Sequence, residues 1–264
     1  MASVNEISSY LDGLAPFSTQ MAFDNAGFLV GQGGQSVRKI LVALDITEAV
    51  IDEAAELGAE LIVSHHPVIF GPVKSITDRD PTGRKLLALT QKNIAAICLH
   101  TNLDMAPGGV NDALARRLDL MQCSLLQQEG VGADGKPYGI GRVGHRESPA
   151  SLPAFAAFVK LRLGANGVRY VDCGKPVSRV AVGGGACGDM LQDALNADCD
   201  TFVTADVKYH EFLEAQALGL NLVDAGHYPT ENVICPVLAD WLEKGFPEVQ
   251  VFRSKRHHEV FSYL

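Results

Sequence analysis

Three short segments hold the side chains best suited to metal and proton chemistry: His65-His66, His100 with Asp104, and His227 with Glu231. Imidazole with carboxylate suits zinc, iron, manganese, nickel or cobalt, and no thiolate stands beside these residues to favour a softer ion. His65, His66, Asp104, His227 and Glu231 supply three neutral nitrogens and two anionic groups. Glu231, the longer carboxylate, is the candidate bridge. Two ions roughly 3.5–4 Å apart share a water, lower its pKa towards neutrality and polarise a substrate oxygen, so hydrolysis near pH 7 is the chemistry such a set supports. A single histidine at a strand end is more often a structural hydrogen-bonding residue; the combination is what favours metal. His100 either ligates or stands behind Asp104 and orients that carboxylate, and the second role is favoured.

The elements around these residues explain their placement. Leu61-Ile62-Val63 reads as a short buried strand, and Pro67 stops it from continuing. Side chains beyond the carboxyl end of such a strand are where α/β sheets keep their ligands. Neighbours on an extended strand point to opposite faces, so a pair that turns out of it offers one ring to each of two ions. Strand 94–99 ends in His100-Thr101-Asn102-Leu103-Asp104, and strand 221–225 in Gly226-His227-Tyr228-Pro229-Thr230-Glu231. Each gives a histidine followed four residues later by a carboxylate, at a strand-to-helix junction.

The first half begins with a helix over 4–12. It continues with strand 37–44, helix 47–58 opened by Thr47 and closed by Gly58, strand 60–64, helix 82–92, strand 94–99 and a helix at about 108–118. The second half repeats the order in strand 178–183, helix 187–196, strand 201–205, helix 208–218, strand 221–225 and helix 229–244. This alternation predicts an α/β fold with a mixed, mostly parallel sheet in each half. Strand 138–145, helix 151–162 and strand 167–172 lie between, and Glu129 to Pro137 reads as a hinge or exposed turn.

Other features carry less. Gly183-Gly184-Gly185 follows a strand and precedes a helix, so its amides could cradle a phosphate. No Lys-Ser/Thr follows and the G-x-G-x-x-G spacing is absent, which favours a tight turn. Lys208-Tyr209-His210-Glu211 opens a helix in the place equivalent to His65-His66; His210 or Tyr209 either faces the cleft as a proton donor or is an exposed helix start. The run Arg253 to His258 reads as a solvated strand end rather than an anion site.

Bulk properties exclude several classes. The 264 residues are 47% hydrophobic and 20% charged, enough to bury a sizeable core. A net charge of -9 opposes a protein whose whole surface binds nucleic acid. No apolar stretch reaches the roughly 18 residues of a membrane span. Met1 to Leu11 lacks the basic-then-apolar pattern of a secretory signal. The six cysteines include no C-x-x-C pair, and Cys98 and Cys235 lie in apolar runs as packed thiols. A reducing cytoplasm is the expected compartment.

Taken together, Phe23-Asp24-Asn25-Ala26-Gly27 with Val30-Gly31, Ala43-Leu44-Asp45-Ile46-Thr47, Ser64-His65-His66-Pro67-Val68-Ile69-Phe70, His100 to Asp104 with Gly109-Val110-Asn111-Asp112, and Gly226 to Glu231 form a specific set. It resembles the Nif-three-like dinuclear metal centre family, some of whose members bear the name GTP cyclohydrolase 1 type 2 homolog. The resemblance implies two interlinked α/β/α domains, expected at 1–125 plus about 226–264 and at about 126–225, with the 227–231 motif at their interface. It implies two divalent ions per subunit, one held by His66 and Asp104, the other by His65 and His227, with Glu231 shared. It also implies a ring-shaped homohexamer whose metal sites face an internal cavity. Phe23 replaces a common tryptophan, and Thr204-Ala205-Asp206 replaces the usual Thr-Gly-Glu along the expected substrate wall. The expected function is metal-dependent hydrolysis of a nucleotide or other phosphorylated small molecule. In the cyclohydrolase version a metal-activated hydroxide attacks the purine C8 and opens the imidazole ring, with Glu231 catalytic and His210 a candidate general acid; a useful donor has a pKa near the working pH. The alternatives are a non-enzymatic metal-handling or regulatory protein, and a nucleic-acid-binding ring, which needs a basic cavity.

Overall fold

In the computed structural model, which describes residues 2–132 and 135–264, the run Leu61–Ser64 is the central strand of a five-stranded sheet. The order is Gln250–Arg253, Lys39–Ala43, Leu61–Ser64, Ala95–Cys98, Gly27–Val30, parallel throughout except at the last pair. Strand alternation sends Leu41, Ala43, Ile62, Ala96 and Cys98 to one face, where they meet Val50, Ile51 and Ala54 of helix Glu48–Leu57 and Leu86 and Leu89 of helix Pro81–Gln91. Ile40, Val42, Leu61, Val63, Ala95 and Ile97 face the other way and are also fully buried. Helices Val4–Leu14 and Cys235–Gly245 pack on this sheet too.

Local chemistry sets the helix ends. Thr47 accepts the amide of Val50 at the start of its helix, and Gly58 closes it at φ 68°. Asp80 caps Gly83 with Pro81 in the first turn, and Ser3 and Glu6 form a reciprocal cap.

The second sheet has six strands, ordered Arg169–Val171, Asn221–Asp224, Thr201–Thr204, Val177–Val182, Arg142–Ala150, Met121–Leu125. Only the two pairings that involve Thr201–Thr204 are parallel; the other three are antiparallel. The mostly parallel expectation therefore holds for the first sheet alone, because the strands drawn from 121–171 lie outside the strand–helix alternation. Leu114 of helix Val110–Arg117, Leu118 at its C-cap, and Leu152, Phe155 and Val159 of helix Leu152–Leu163 cover Val180, Val182, Val203 and Val223. Helices Leu191–Asn196 and Tyr209–Leu218 also pack on this sheet.

The first unit runs to Ala106 and includes Ile234–His258; the second comprises Pro107–Val233 and Glu259–Leu264. Residues 107–125, 226–233 and 259–264 thus go with the second unit, not the first. Helix Val110–Arg117 buries its apolar face in the second core, and Met121–Leu125 pairs with Arg142–Ala150.

Three strands of the two main sheets, Gly27–Val30, Met121–Leu125 and Gln250–Arg253, are absent from the sequence expectation. The helix expected at 229–244 is instead His227–Glu231, a 3-10 turn Asn232–Ile234 and a new helix Cys235–Gly245. Pro236 has no N–H to continue the ladder, so the helix restarts there. Gly130–Val131 pairs with Pro137–Tyr138, and residues 133 and 134 of the expected Glu129–Pro137 turn lie outside the described residues. Among the described residues no disulfide joins the six cysteines, and no helix is long and apolar enough to cross a membrane.

Candidate metal centre

In the first unit, His65 and His66 follow directly on the buried strand Leu61–Ser64. The His66 amide donates to Leu44 O at 2.9 Å and Ser64 Oγ donates to His66 O at 2.9 Å, so the turn that carries both rings is fixed by its own backbone. His100 precedes the one-turn helix Thr101–Met105, where Asn102 Nδ2 donates to Ala15 O at 2.7 Å. One ligand atom each of His65, His66 and His100 lies within 4.8 Å of the others. Asp104, one turn beyond His100, brings Oδ1 to 3.7 Å from His65 Nε2.

Each ring is held at Nδ1. His65 Nδ1 lies 2.8 Å from Leu99 O, His66 Nδ1 2.8 Å from Asp45 Oδ1, and His100 Nδ1 2.7 Å from Asp24 Oδ1. Carbonyls and carboxylates only accept, so Nδ1 carries the proton and donates. In the neutral ring Nε2 is then a lone pair, which is the atom a metal takes. The expectation that His100 orients Asp104 is not met: its Nδ1 partner is Asp24, and its ring stands with His65 and His66. Burial pulls the Asp24 carboxyl up, but hydrogen bonds from His100 and Thr101 outweigh it and hold the group well below the usual carboxylate range. Asp45 shows the same balance, with His257 and His66 as its partners.

In the second unit, His227 and Glu231 sit one turn apart on helix His227–Glu231, with His227 Nε2 3.0 Å from Glu231 Oε2. His227 Nδ1 lies 2.8 Å from Asp206 Oδ2, so the Nδ1 pattern recurs. Burial pulls the imidazole down, but Glu231 and then Asp206 raise it to about 9. Asp206 has φ 53°, a left-handed conformation that Asp tolerates better than most residues, and its carboxylate meets His227.

The glycine run serves this pair. The amides of Gly183, Gly184 and Gly185 donate to Val203 O, Asn111 Oδ1 and Thr230 Oγ1, so they are spent inside the protein and do not cradle a phosphate. Gly185 has φ +69°, and a Cβ there would lie 2.1 Å from Glu231 Oε1; only glycine leaves room for that carboxylate. Beside it, Asp112 holds the buried Arg142 through Oδ1–Nε and Oδ2–Nη2 contacts of 2.6 and 3.2 Å. Asn111 and Asp112 are therefore framework residues.

His210 is exposed in the first turn of helix Tyr209–Leu218, and its ring makes no hydrogen bond or ion pair among the described residues. The Arg253 to His258 run does end strand Gln250–Arg253 with Arg253, Lys255, Arg256 and His258 exposed; the exception is His257, whose side chain is only 7% exposed, with Nε2 3.0 Å from Asp45 Oδ2. Asp24, Asp45 and Asp206 are the residues whose roles sequence reading missed.

The Duf34/NIF3 (NGG1p interacting factor 3) family model matches residues 2–259. A Clostridium perfringens protein named GTP cyclohydrolase 1 type 2 homolog is 32% identical over 263 residues, covering 99% of each chain. The crystal structure of a Bacillus cereus protein related to NIF3 aligns with TM-score 0.94 at 26% identity, over 100% of this chain and 99% of that one. A Staphylococcus aureus hypothetical protein aligns with TM-score 0.92 at 31% identity, over 99% of each. With its fold, its histidine segments and nearly its whole length accounted for in this way, the chain belongs to the Duf34/NIF3 family.

Proposed function

We propose that His65, His66, Asp104, His227 and Glu231 hold two divalent metal ions, and that the protein is a metal-dependent hydrolase of a nucleotide or related phosphorylated small molecule. The observation that carries this reading is the common setting of the histidines: each has its Nδ1 held by a fixed acceptor, so Nε2 is the nitrogen turned to a cation, which at His227 would displace the proton shared with Glu231. The donor set fits borderline divalent ions, since it combines imidazole nitrogens with carboxylate oxygens and includes no thiolate. Such ions supply Lewis acidity and lower the pKa of water.

The chain's own residues do the rest. Buried Glu231 presents an anionic oxygen against His227, where it can take or return a proton. Phe23 and Phe70 are 61% and 56% exposed, and the Phe70 ring centroid lies 6.0 Å from that of His100. They offer an apolar wall to a planar ring beside the imidazoles. The name of the Clostridium perfringens relative supports a purine nucleotide as that substrate. Assembly as a homohexameric ring and a cytoplasmic location belong to the same reading.

Metal analysis tests it first. Purified protein should carry close to two ions per chain, and His66→Ala and Glu231→Ala should each lower that content. Full metal content in both variants refutes the ligand set. Nucleotides, GTP included, would then be screened with manganese, zinc and iron, and any turnover must vanish in Glu231→Ala. Intact metal binding without turnover would favour the metal-handling alternative.

A further inference from the structure

We propose that the C-terminal tail is a working part of the metal centre: His257 is a positioning residue for His66, acting through Asp45. This rests on the metal-binding role of His66 proposed above.

The Asp45 carboxylate is gripped from both sides. Its Oδ1 takes His66 Nδ1 at 2.8 Å and its Oδ2 lies 3.0 Å from His257 Nε2. An Asp carboxylate turns over a broad range about its last torsion, so one hydrogen bond leaves its plane loosely defined. A second imidazole on the opposite oxygen fixes it, and with it the direction in which His66 presents Nε2. His65 needs no such brace, because its Nδ1 partner is the backbone carbonyl of Leu99 in a fully buried setting. His66 and Asp45 are more open, with side chains 22% and 40% exposed, whereas the His257 side chain is 7% exposed.

The tail that delivers His257 is itself anchored. Ser254 N donates to Val42 O at 2.8 Å, tying the tail to the strand that leads into Asp45. Glu53 accepts Ser254 Oγ at 2.5 Å and Lys255 N at 2.9 Å, and His257 N donates to Ser254 Oγ at 3.1 Å. The Arg256 guanidinium pairs with Glu56 rather than with Asp45. A tail that was merely solvated would need none of these bonds.

Cobalt(II) added to metal-stripped full-length protein provides the test, read by its visible spectrum and by calorimetry. His257→Phe keeps an aromatic side chain but removes the donor to Asp45; it should weaken cobalt binding by about tenfold, the low end for partners that orient a ligand, and alter the spectrum. His257→Gln retains an N–H at the Nε2 position and should recover most of the affinity. Arg256→Ala loosens the tail without touching Asp45 and should match wild type, which separates positioning from general tail stability. Wild-type affinity and spectrum in His257→Phe would overturn the proposal while leaving the metal centre standing. Failure of the wild-type protein to bind cobalt would overturn the metal reading, and this proposal with it.

Discussion

Gly185→Ala puts the architecture of the His227–Glu231 pair to a quantitative test. The backbone at Gly185 has φ +69°, and the added Cβ would meet Glu231 Oε1 at 2.1 Å, Glu231 Cδ at 3.1 Å and His227 Cε1 at 3.4 Å. Alanine in the left-handed region costs about 1–2 kcal/mol. Moving Glu231 off its rotamer to escape the methyl group adds roughly 1 kcal/mol. The expected loss is therefore about 2–3 kcal/mol in the metal-stripped protein, read from the urea midpoint. Gly174 is the control: it has φ +75° and nothing within 4 Å of its Cβ position, so Gly174→Ala should show the backbone part alone. In a Glu231→Ala background the extra part should shrink, as expected for groups in contact. Metal content should fall as the carboxylate is displaced. A Gly185→Ala protein within about 0.5 kcal/mol of wild type, with unchanged metal, would refute the claim that glycine is there to admit Glu231.

Asp112→Ala should destabilise by about 2–3 kcal/mol in calorimetry, because it removes the carboxylate that accepts from Nε and Nη2 of Arg142, whose side chain is 5% exposed. Glu53 gives a pH dependence. Burial raises its carboxyl, but bonds from Ser254, Lys255 and Arg256 outweigh this and lower it below its ordinary 4.5. A depressed folded pKa means the stabilisation is present above the unfolded value and lost as pH falls through the folded one. Protection of the amides at residues 254–257, taken relative to the intrinsic exchange rate at each pH, should therefore fall on acidification below about 4.5, and Glu53→Gln should remove that dependence. Long-range nitrogen–proton NMR should find His65 and His66 as Nδ1–H tautomers in the neutral protein; a proton on His65 Nε2 would contradict the setting described above.

The donor residues were legible because their types are rare together and their spacings are local: two adjacent residues, or two residues one turn apart. What holds them was not legible. The partners come from remote positions: Asp45 accepts from His66, Asp24 accepts from His100 and, from the far terminus, His257 donates to Asp45. No periodicity links such positions, so the sequence offered only the quoted motifs around Asp24 and Asp45, without roles. The same limit explains the missed strands. Met121–Leu125 is mostly exposed and shows no apolar run, and Gln250–Arg253 is four residues that gain meaning only beside Lys39–Ala43. Conversely, Thr47 and Gly58 marked their helix ends correctly, because capping is decided within a few residues.

The Nδ1 bonds have a consequence for how a cation is taken up. A zinc finger must fold around its ion, and chelation unravels it. Here each ring is clamped by a protein acceptor within its own unit and seated beside a sheet with its own core, so the proposed donors are oriented without needing an ion to fold them. Chelated protein should keep its circular dichroism and lose only the increment of thermal resistance that mass action confers on the loaded form.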